Sequence, residues 1–228
     1  MAPGEPLEPA TGLTVLHLFV RAGLDLDRDA VHAAIADAST RDAQTVLAAI
    51  LGHKADACVL ALCRDAWVLR ALQSDLSRAG LEVTDSYVSL TEVSEYAAGM
   101  PAEHLRNRLY PTLPPEGLRA FCFYPMSKRR GEARNWYELD YATREELMRG
   151  HGKVGREFRG RVLQLVTGAT GLDDWEWGVT LFGRSHDDLK ECVYTMRFDE
   201  ASARFGEFGP FYAGVVATLD EVLDLALS

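Results

Sequence analysis

Two residue types that could act on an anionic substrate, a tyrosine and a lysine, stand four positions apart in the strand-like segment 119–130. The Tyr124 phenol can lose an electron and a proton, and the Lys128 ammonium can hold a carboxylate. Strand alternation places Tyr124 and Met126 on one face, and we expect Pro125 to end regular pairing so that both side chains lean into a cavity. The segment also fits a strand that ends in a basic turn, with Tyr124 as an ordinary buried aromatic residue.

A single histidine on a predicted helix could bind the metal of a flat prosthetic group. Thr143 and Glu146 form a capping-box pattern, so the helix should begin near Arg144. His151 lies on one apolar stripe of this helix, with Leu147, Val154 and Phe158. Each glycine costs a helix about 1 kcal/mol relative to alanine, and three surround this histidine: Gly150, Gly152 and Gly155. A neutral imidazole facing a planar ring is typical of a haem ligand, whereas a hydrogen-bonded core histidine is the alternative.

Two further positions follow on the next predicted strands. Gln164 shares a strand face with Val162 and Val166, and a polar amide among apolar residues needs a partner. It therefore either lines a pocket or forms a hydrogen bond within the core. The aromatic start of the following strand, residues 175–177, is interpreted as packing.

The elements that position these residues are predicted to form two similar α+β halves. In the first half, strands at 13–19, 57–63 and 81–90 alternate with helical stretches at 27–51 and 66–79, and Ser39 and Thr40 mark a candidate break in the first stretch. In the second half, strands are predicted at 119–126, 161–167 and 176–183, and helices at 143–158, 186–198 and 211–226. This order is typical of two ferredoxin-like domains, each with helices on one face of a sheet.

The predicted domain organisation follows from this order. We expect a flexible N-terminal tail at 1–10, a ferredoxin-like domain at 11–98, a linker at 99–117 and a second ferredoxin-like domain at 118–228. The linker is rich in proline and glycine, which disfavour regular structure. The chemistry-bearing residues concentrate in the second half, so the first half is predicted to be scaffold.

Composition excludes several classes of function. The net charge of −10 repels a phosphate backbone, so a nucleic-acid partner is not expected. No apolar run approaches the ~20 residues that span a bilayer, and the first residues lack the basic and apolar segments of a signal peptide. The four cysteines show no CxxC spacing, which favours reduced thiols in a cytoplasmic protein. P-loop, zincin and serine-hydrolase motifs are absent from the sequence.

Six ungapped segments in order resemble the coproheme decarboxylases of the chlorite dismutase superfamily. They are YPMSKRR at 124–130, NWY at 135–137, HGKVGR at 151–156, GLDDWEWGVTLF at 171–182, VYTMRFDEASARF at 193–205 and EFGPFY at 207–212. The resemblance covers nearly all of residues 105–215. The first half fits the family only in its order of elements.

This resemblance implies a fold, a reaction and partners. The fold would be two ferredoxin-like domains of the dimeric α/β-barrel type per subunit, assembled as a homopentamer, with the porphyrin in the C-terminal domain. The reaction would be decarboxylation of the 2- and 4-propionates of iron coproporphyrin III (coproheme) to give haem b. Hydrogen peroxide would be the oxidant and a tyrosyl radical the intermediate, and coproheme would be both substrate and redox cofactor. A ferrochelatase is the implied transient partner.

The matching motifs also carry implied residue roles. His151 would be the axial iron ligand, Tyr124 the redox tyrosine, and Lys128 the residue beside a reacting propionate. The other implied porphyrin contacts are Met126 at the ring edge, Gln164 above the iron, and Ser202 and Arg108 at the propionates that are not removed.

Two alternatives remain beside the decarboxylase. A haem-binding or haem-delivery protein without turnover would keep His151 but would not depend on Tyr124 or Lys128. A peroxidase-like or chlorite-degrading member of the superfamily is disfavoured, because chlorite dismutases carry an arginine where Gln164 falls.

Overall fold

The structure, a computed structural model, describes residues 5–97 and 99–227. The first half consists of β1 (Thr14–Ala22), α1 (Arg28–Thr40), β2 (Gln44–Ile50), β3 (Ala57–Cys63), α2 (Ala66–Arg78) and β4 (Leu81–Thr91). A connecting helix, α3 (Ala102–Leu109), lies within the predicted linker.

The second half repeats the strand–helix–strand–strand–helix–strand order, with a hairpin and a short helix added. Its elements are β5 (Ala120–Lys128), β6 (Arg130–Gly131), β7 (Arg134–Asn135), a 3-10 turn (Trp136–Glu138), α4 (Tyr141–Arg156), β8 (Val162–Gly168), β9 (Trp177–Gly183), α5 (His186–Met196), α6 (Glu200–Phe205), β10 (Gly206–Phe208), β11 (Tyr212–Ala217) and α7 (Leu219–Leu225). The predicted pair of ferredoxin-like units is therefore confirmed.

The two sheets join edge to edge into one closed barrel. β11 pairs with β2 at one seam, and β4 pairs with β8 at the other, all in antiparallel register. β10 and β11 lie along the same edge of β5 and act as one interrupted strand, so the nine strands occupy eight positions around the barrel. Pairing of β5 with β9 closes the ring. The β4–β8 seam is short, because only Leu90 and Thr91 of β4 pair with β8.

The candidate break near Ser39 and Thr40 is confirmed, whereas the helical period predicted for the residues after it was wrong. The helix ends at Thr40, Asp42 takes a left-handed backbone conformation (φ 63°), and residues 44–50 form β2. The helix predicted at 211–226 was wrong in its first part, because Tyr212–Ala217 is β11 and Thr218 caps a helix that starts only at Leu219. Both errors concern short apolar runs, for which helical and strand periods are hard to tell apart.

Two local predictions in the second half also need correction. Asp140, not Thr143, caps α4, since its carboxylate accepts the Thr143 amide at 2.9 Å. Pro125 does not end pairing, because β5 continues to Lys128. On one edge of β5 the ladder with β9 runs through Pro125, and on the other the residues between β10 and β11 leave the ladder opposite it. The missing proline N–H therefore costs no ladder hydrogen bond.

The apolar core has two sides. Helices α1, α2 and α7 cover the outer face of the first sheet, α5 packs on that of the second, and α4 packs against α5 and α6. The barrel interior holds large aromatic residues, including Phe121, Phe123 and Phe182, and encloses one fully buried histidine, His17, whose Nε2 lies 2.8 Å from the Thr180 hydroxyl.

The boundary segments of the predicted domains are only partly described. Of the predicted tail, residues 1–4 lie outside the described residues, as do Ala98 and Ser228 at the predicted domain ends. The rest of the tail contacts the start of α2, where Leu7 and Asp65 share a hydrogen bond. Within residues 5–97 and 99–227, no helix combines the length and the hydropathy needed to cross a bilayer.

Candidate functional site

The outer face of β5 carries the predicted chemistry. As strand alternation predicts, Cys122, Tyr124 and Met126 pack under the helices of the second half, whereas Phe121 and Phe123 point into the barrel. Continuing the alternation brings Lys128 to the outer face at the end of the strand. The phenol and the ammonium group therefore share one surface.

Tyr124 is held by aromatic neighbours and not by hydrogen bonds. It is 8% exposed and stacks on Phe211, with ring centroids 4.5 Å apart and an interplanar angle of 25°. Phe208 lies 5.8 Å away, and Lys54 of the first half donates to the Phe211 carbonyl at 2.6 Å. Burial raises the pKa of the Tyr124 phenol above its usual value. The phenol therefore stays protonated, so its oxidation must release a proton together with an electron.

Lys128 is a buried cation that keeps its donors free. It is 6% exposed, and its ammonium lies 4.6 Å from the centre of the Trp136 ring. Burial lowers its pKa to about 8, against the opposing effect of the Asp199 and Glu176 carboxylates. No residue in the described ranges forms an ion pair with Lys128. Such an ammonium is suited to a carboxylate supplied by a ligand.

A buried carboxylate lies at the backbone of this lysine. Glu176, directly before β9, accepts the Lys128 amide at 2.8 Å. The same carboxylate accepts hydrogen bonds from the Arg130 guanidinium and the Tyr137 hydroxyl. Glu176 is thus fully engaged by neighbours at the end of β5, although its position among aromatic residues suggested simple packing.

His151 presents one ring nitrogen to the site and uses the other for orientation. Its Nδ1 lies 3.1 Å from a carboxylate oxygen of Asp199 and 3.4 Å from the Ser202 hydroxyl. Burial raises the pKa of the Asp199 carboxyl, but hydrogen bonds from His151 and Ser202 outweigh burial and hold that pKa below its usual value. The ionised carboxylate fixes the proton on Nδ1 and leaves the Nε2 lone pair for a metal.

Gln164 and His151 border the same gap between α4 and β8. The Gln164 amide donates to the Cys192 thiol at 3.6 Å, and its side chain is exposed. A methyl group built on Gly155, one turn after His151, would lie 3.7 Å from the Gln164 amide nitrogen. The next outward residue of β8, Val166, is 40% exposed. The Gln164 amide and the exposed Val166 side chain therefore line the side of this gap that β8 forms.

The remaining predicted site residues are placed unequally. Met126 is partly buried beside Tyr124, and Ser202 is buried beside His151 on α6. Arg108 lies exposed on α3, and none of the described side chains of the site contacts it. The roles of all three in porphyrin binding stay predictions.

The donor set fits an iron porphyrin better than a bare metal ion. Among the residues that the structure describes, no group of three or more His, Cys, Asp or Glu could hold a metal ion. A porphyrin supplies four nitrogen ligands and needs only an axial donor, and an oriented imidazole such as that of His151 is a suitable donor. The unpaired Lys128 ammonium suits a porphyrin carboxylate, and the exposed apolar wall at Val166 suits the ring face.

Comparison with known proteins identifies the family of this chain. A family model for chlorite dismutases matches residues 27–217. The chain belongs to the chlorite dismutase family. A coproheme decarboxylase from Staphylococcus saprophyticus is 44% identical over 188 residues, which cover 77% of this chain and 74% of that protein. A coproheme decarboxylase from Staphylococcus carnosus is 43% identical over 184 residues, or 73% and 70% of the two chains.

Solved structures of this family share the whole architecture. A haem-binding protein from Thermus thermophilus superposes with a TM-score of 0.85 at 34% identity, covering 98% of this chain and 99% of that one. Chlorite dismutase from Candidatus Nitrospira defluvii superposes with a TM-score of 0.73 at 18% identity, over 95% of each chain. The second likeness concerns the fold alone.

Three residues of the site escaped prediction from the sequence. Asp199 stands 48 positions from His151, and Glu176 stands 48 from Lys128. An aspartate three residues before Ser202 fits a helix cap, and a lone glutamate between two tryptophans is unusual in a strand. Trp136 lay in a recognised motif without an assigned role. These signals could have marked all three residues, but not their partners.

Proposed function

We propose that this chain is a coproheme decarboxylase, which oxidises two propionates of iron coproporphyrin III with hydrogen peroxide to give haem b. One observation carries the proposal: a protonated buried phenol and an unpaired ammonium share the face of β5 beside an oriented histidine. Two relatives named coproheme decarboxylase, at 44% and 43% identity, support the same reaction. The chain is thereby an enzyme of haem biosynthesis.

His151 is the proposed axial ligand. The Asp199 carboxylate holds the imidazole by Nδ1, so the ring cannot turn away from the iron, and the negative charge makes Nε2 a stronger donor. When bound, the iron porphyrin supplies the redox centre at which peroxide is reduced. Gln164 would offer its amide on β8 across the gap from α4.

Tyr124 is the proposed hydrogen-atom acceptor in its oxidised form. The phenoxyl oxygen takes a hydrogen atom from the propionate β-carbon and re-forms the phenol O–H bond. The second oxidising equivalent of the peroxide would take one more electron from the propionate; the bond to the carboxylate carbon would then break, carbon dioxide would leave, and a vinyl group would remain. Conversion of each propionate thus consumes one hydrogen peroxide and one proton. It yields one vinyl group, one carbon dioxide and two waters.

Lys128 is proposed to hold the carboxylate of the reacting propionate. A charge-assisted hydrogen bond from its ammonium would fix the β-carbon near Tyr124, since both side chains project from the same strand face. Ser202 and Arg108 are the proposed partners of the propionates that remain in haem b. Met126 would line the ring edge beside them.

The test is direct. The purified chain is mixed with ferric coproporphyrin III, hydrogen peroxide is titrated in, and the porphyrin is followed by mass spectrometry. We expect two successive losses of carbon dioxide plus two hydrogens, each at one peroxide equivalent. Tight binding without mass change would contradict the decarboxylase and favour a haem carrier. No binding would contradict the porphyrin site itself.

Assembly and location complete the proposal. We infer a homopentamer in the cytoplasm that receives coproheme by transient contact with a ferrochelatase, as the resemblance implies. Light scattering on the purified chain would give a mass five times 25.2 kDa. A monomer at micromolar concentration would contradict the pentamer and leave the chemistry of the site untouched.

A further inference from the structure

We propose that Glu176 is a positioning residue for Lys128. Glu176 holds both the lysine backbone and the hairpin next to Trp136, and so keeps the ammonium in the geometry that a substrate carboxylate requires. This inference rests on the proposed function, because it concerns the group that binds the reacting propionate. Glu176 itself is negatively charged and would repel a propionate, so its effect must be exerted through Lys128.

The first argument concerns the edge of the sheet. The ladder between β5 and β9 ends at the pair Met126–Trp177, two residues before Lys128. The next amide, of Arg129, donates to the Phe205 carbonyl on the opposite edge at 2.8 Å. Since successive strand amides point to opposite edges, the Lys128 amide faces the side on which β9 has ended.

The Glu176 side chain replaces the missing strand partner. Its Oε2 accepts the Lys128 amide at 2.8 Å, and its own amide lies 3.2 Å from the Ser127 hydroxyl. These two contacts extend the pairing of β5 past the end of the ladder. They fix the backbone of the one residue whose side chain carries the ammonium.

The second argument concerns the hairpin and the Trp136 ring that lie beside the Lys128 ammonium. The other carboxylate oxygen of Glu176 accepts both the Arg130 guanidinium and the Tyr137 hydroxyl. These residues flank the hairpin that carries Trp136, whose ring centre lies 4.6 Å from the Lys128 ammonium. One buried carboxylate therefore anchors the lysine backbone and the hairpin that supports its side chain.

The arrangement also keeps the ammonium available. Glu176 already accepts hydrogen bonds from three donors other than the ammonium. Asp199, the second carboxylate that faces Lys128, already binds His151 and Ser202. Both negative charges raise the pKa of Lys128, against the lowering effect of burial, and neither carboxylate forms an ion pair with the lysine. The cation thus stays charged and unoccupied until a carboxylate arrives.

The test is a double-mutant cycle with a matched control. Glu176→Gln keeps the shape and removes the charge, and it is made alone and with Lys128→Met. Asp173→Asn is the control, because Asp173 lies in the same loop and accepts a strand amide, that of Val88 at 2.9 Å, far from the lysine. Tyr137→Phe, which removes a single donor to Glu176, covers the case in which Glu176→Gln does not fold.

Two readouts separate positioning from plain stability. The first is the rate of propionate loss by mass spectrometry. The second needs no porphyrin: the chain has four lysines, so their labelled side-chain resonances can be titrated by NMR, with Lys128 assigned by its loss in Lys128→Met. In Glu176→Gln this resonance should titrate at lower pH than in the unmodified chain, because a compensating negative charge is gone.

The expected rates follow from the loss of a charge-assisted hydrogen bond. Glu176→Gln should slow propionate loss about tenfold, and less than about twofold when Lys128 is already methionine. Tyr137→Phe should show the same pattern with a smaller effect, and Asp173→Asn should leave the rate and the titration unchanged. Equal slowing in both backgrounds, or an unmoved Lys128 titration, would overturn the inference. Absence of any mass loss in the unmodified chain would overturn the proposed function instead.

Discussion

Replacing Tyr124 by phenylalanine removes one hydroxyl and leaves the ring in place. The Phe211 stack at 4.5 Å and the apolar packing around the ring do not depend on the hydroxyl. No described residue shares a hydrogen bond with it, so its removal leaves no polar group without a partner. The Tyr124 hydroxyl is not among the buried polar atoms that lack a partner, so solvent reaches it, and Tyr124→Phe should change the free energy of unfolding by less than about 1 kcal/mol.

The same substitution should abolish the chemistry. Phenylalanine has no O–H bond to break, so propionate loss should slow by at least about a thousandfold, which corresponds to ~4 kcal/mol in the activation barrier. Affinity for ferric coproporphyrin III, measured by absorbance titration, should stay within about threefold, because the phenol binds no carboxylate. The variant should therefore bind the substrate and retain all four propionates when peroxide is added.

The assay combines a denaturant melt, a binding titration and mass spectrometry of the porphyrin. Tyr194→Phe is a suitable control, since Tyr194 is 55% exposed on α5. Normal haem b formation by Tyr124→Phe would refute the radical role of this tyrosine. A loss of more than about 2 kcal/mol in unfolding free energy would instead show that the hydroxyl has a partner, and would refute the argument for a free phenol.

Three further predictions concern affinity and pH. Asp199→Asn should weaken ferric porphyrin binding about 10- to 100-fold in an absorbance titration, because it loosens the His151 ring; an unchanged affinity would contradict the orienting role. Coproheme affinity should fall as pH rises through about 8, where Lys128 loses its proton, and Lys128→Met should remove that dependence. Burial lowers the pKa of His17 to about 3 from 6.5, so below pH 6.5 the unfolded chain binds a proton that the folded chain does not. Stability should then fall by about 1.4 kcal/mol per pH unit, and His17→Gln, which can still bond Thr180, should flatten that slope in melts at pH 4 to 7.

The sequence was informative where a local period decides the structure. The alternation of β5 correctly separated Tyr124 from Phe123, and on the predicted stripe of α4 Leu147 is buried and His151 contacts Asp199. The hydrophobic period did not distinguish helix from strand at β2 and β11. The short runs QTVLAAI and YAGVVA are apolar enough to suit either a helix or a strand. Their pairing with β3 and β5, and with each other across the barrel seam, decides in favour of strands.

The sequence pointed to the residues proposed to act on the substrate, but not to the residues that hold them in position. Among the three glycines of α4, only Gly155 faces the site, and the open surroundings of Gly150 and Gly152 show that glycine content alone overstated the argument. The partners Asp199 and Glu176 act through contacts between residues far apart in the chain. No local pattern encodes such contacts, since they exist only once the elements have packed.

The contact between Lys54 and the Phe211 carbonyl has a consequence for how this protein can be divided. Phe211 is the stacking partner of Tyr124, and a residue of the first half holds its backbone. The barrel interior is likewise lined from both halves. Separating the halves would expose two apolar sheet faces and remove the Lys54 contact that supports the stacking partner of Tyr124. The first half therefore helps to form the surroundings of Tyr124, and we expect neither half to be an independent module for grafting or truncation.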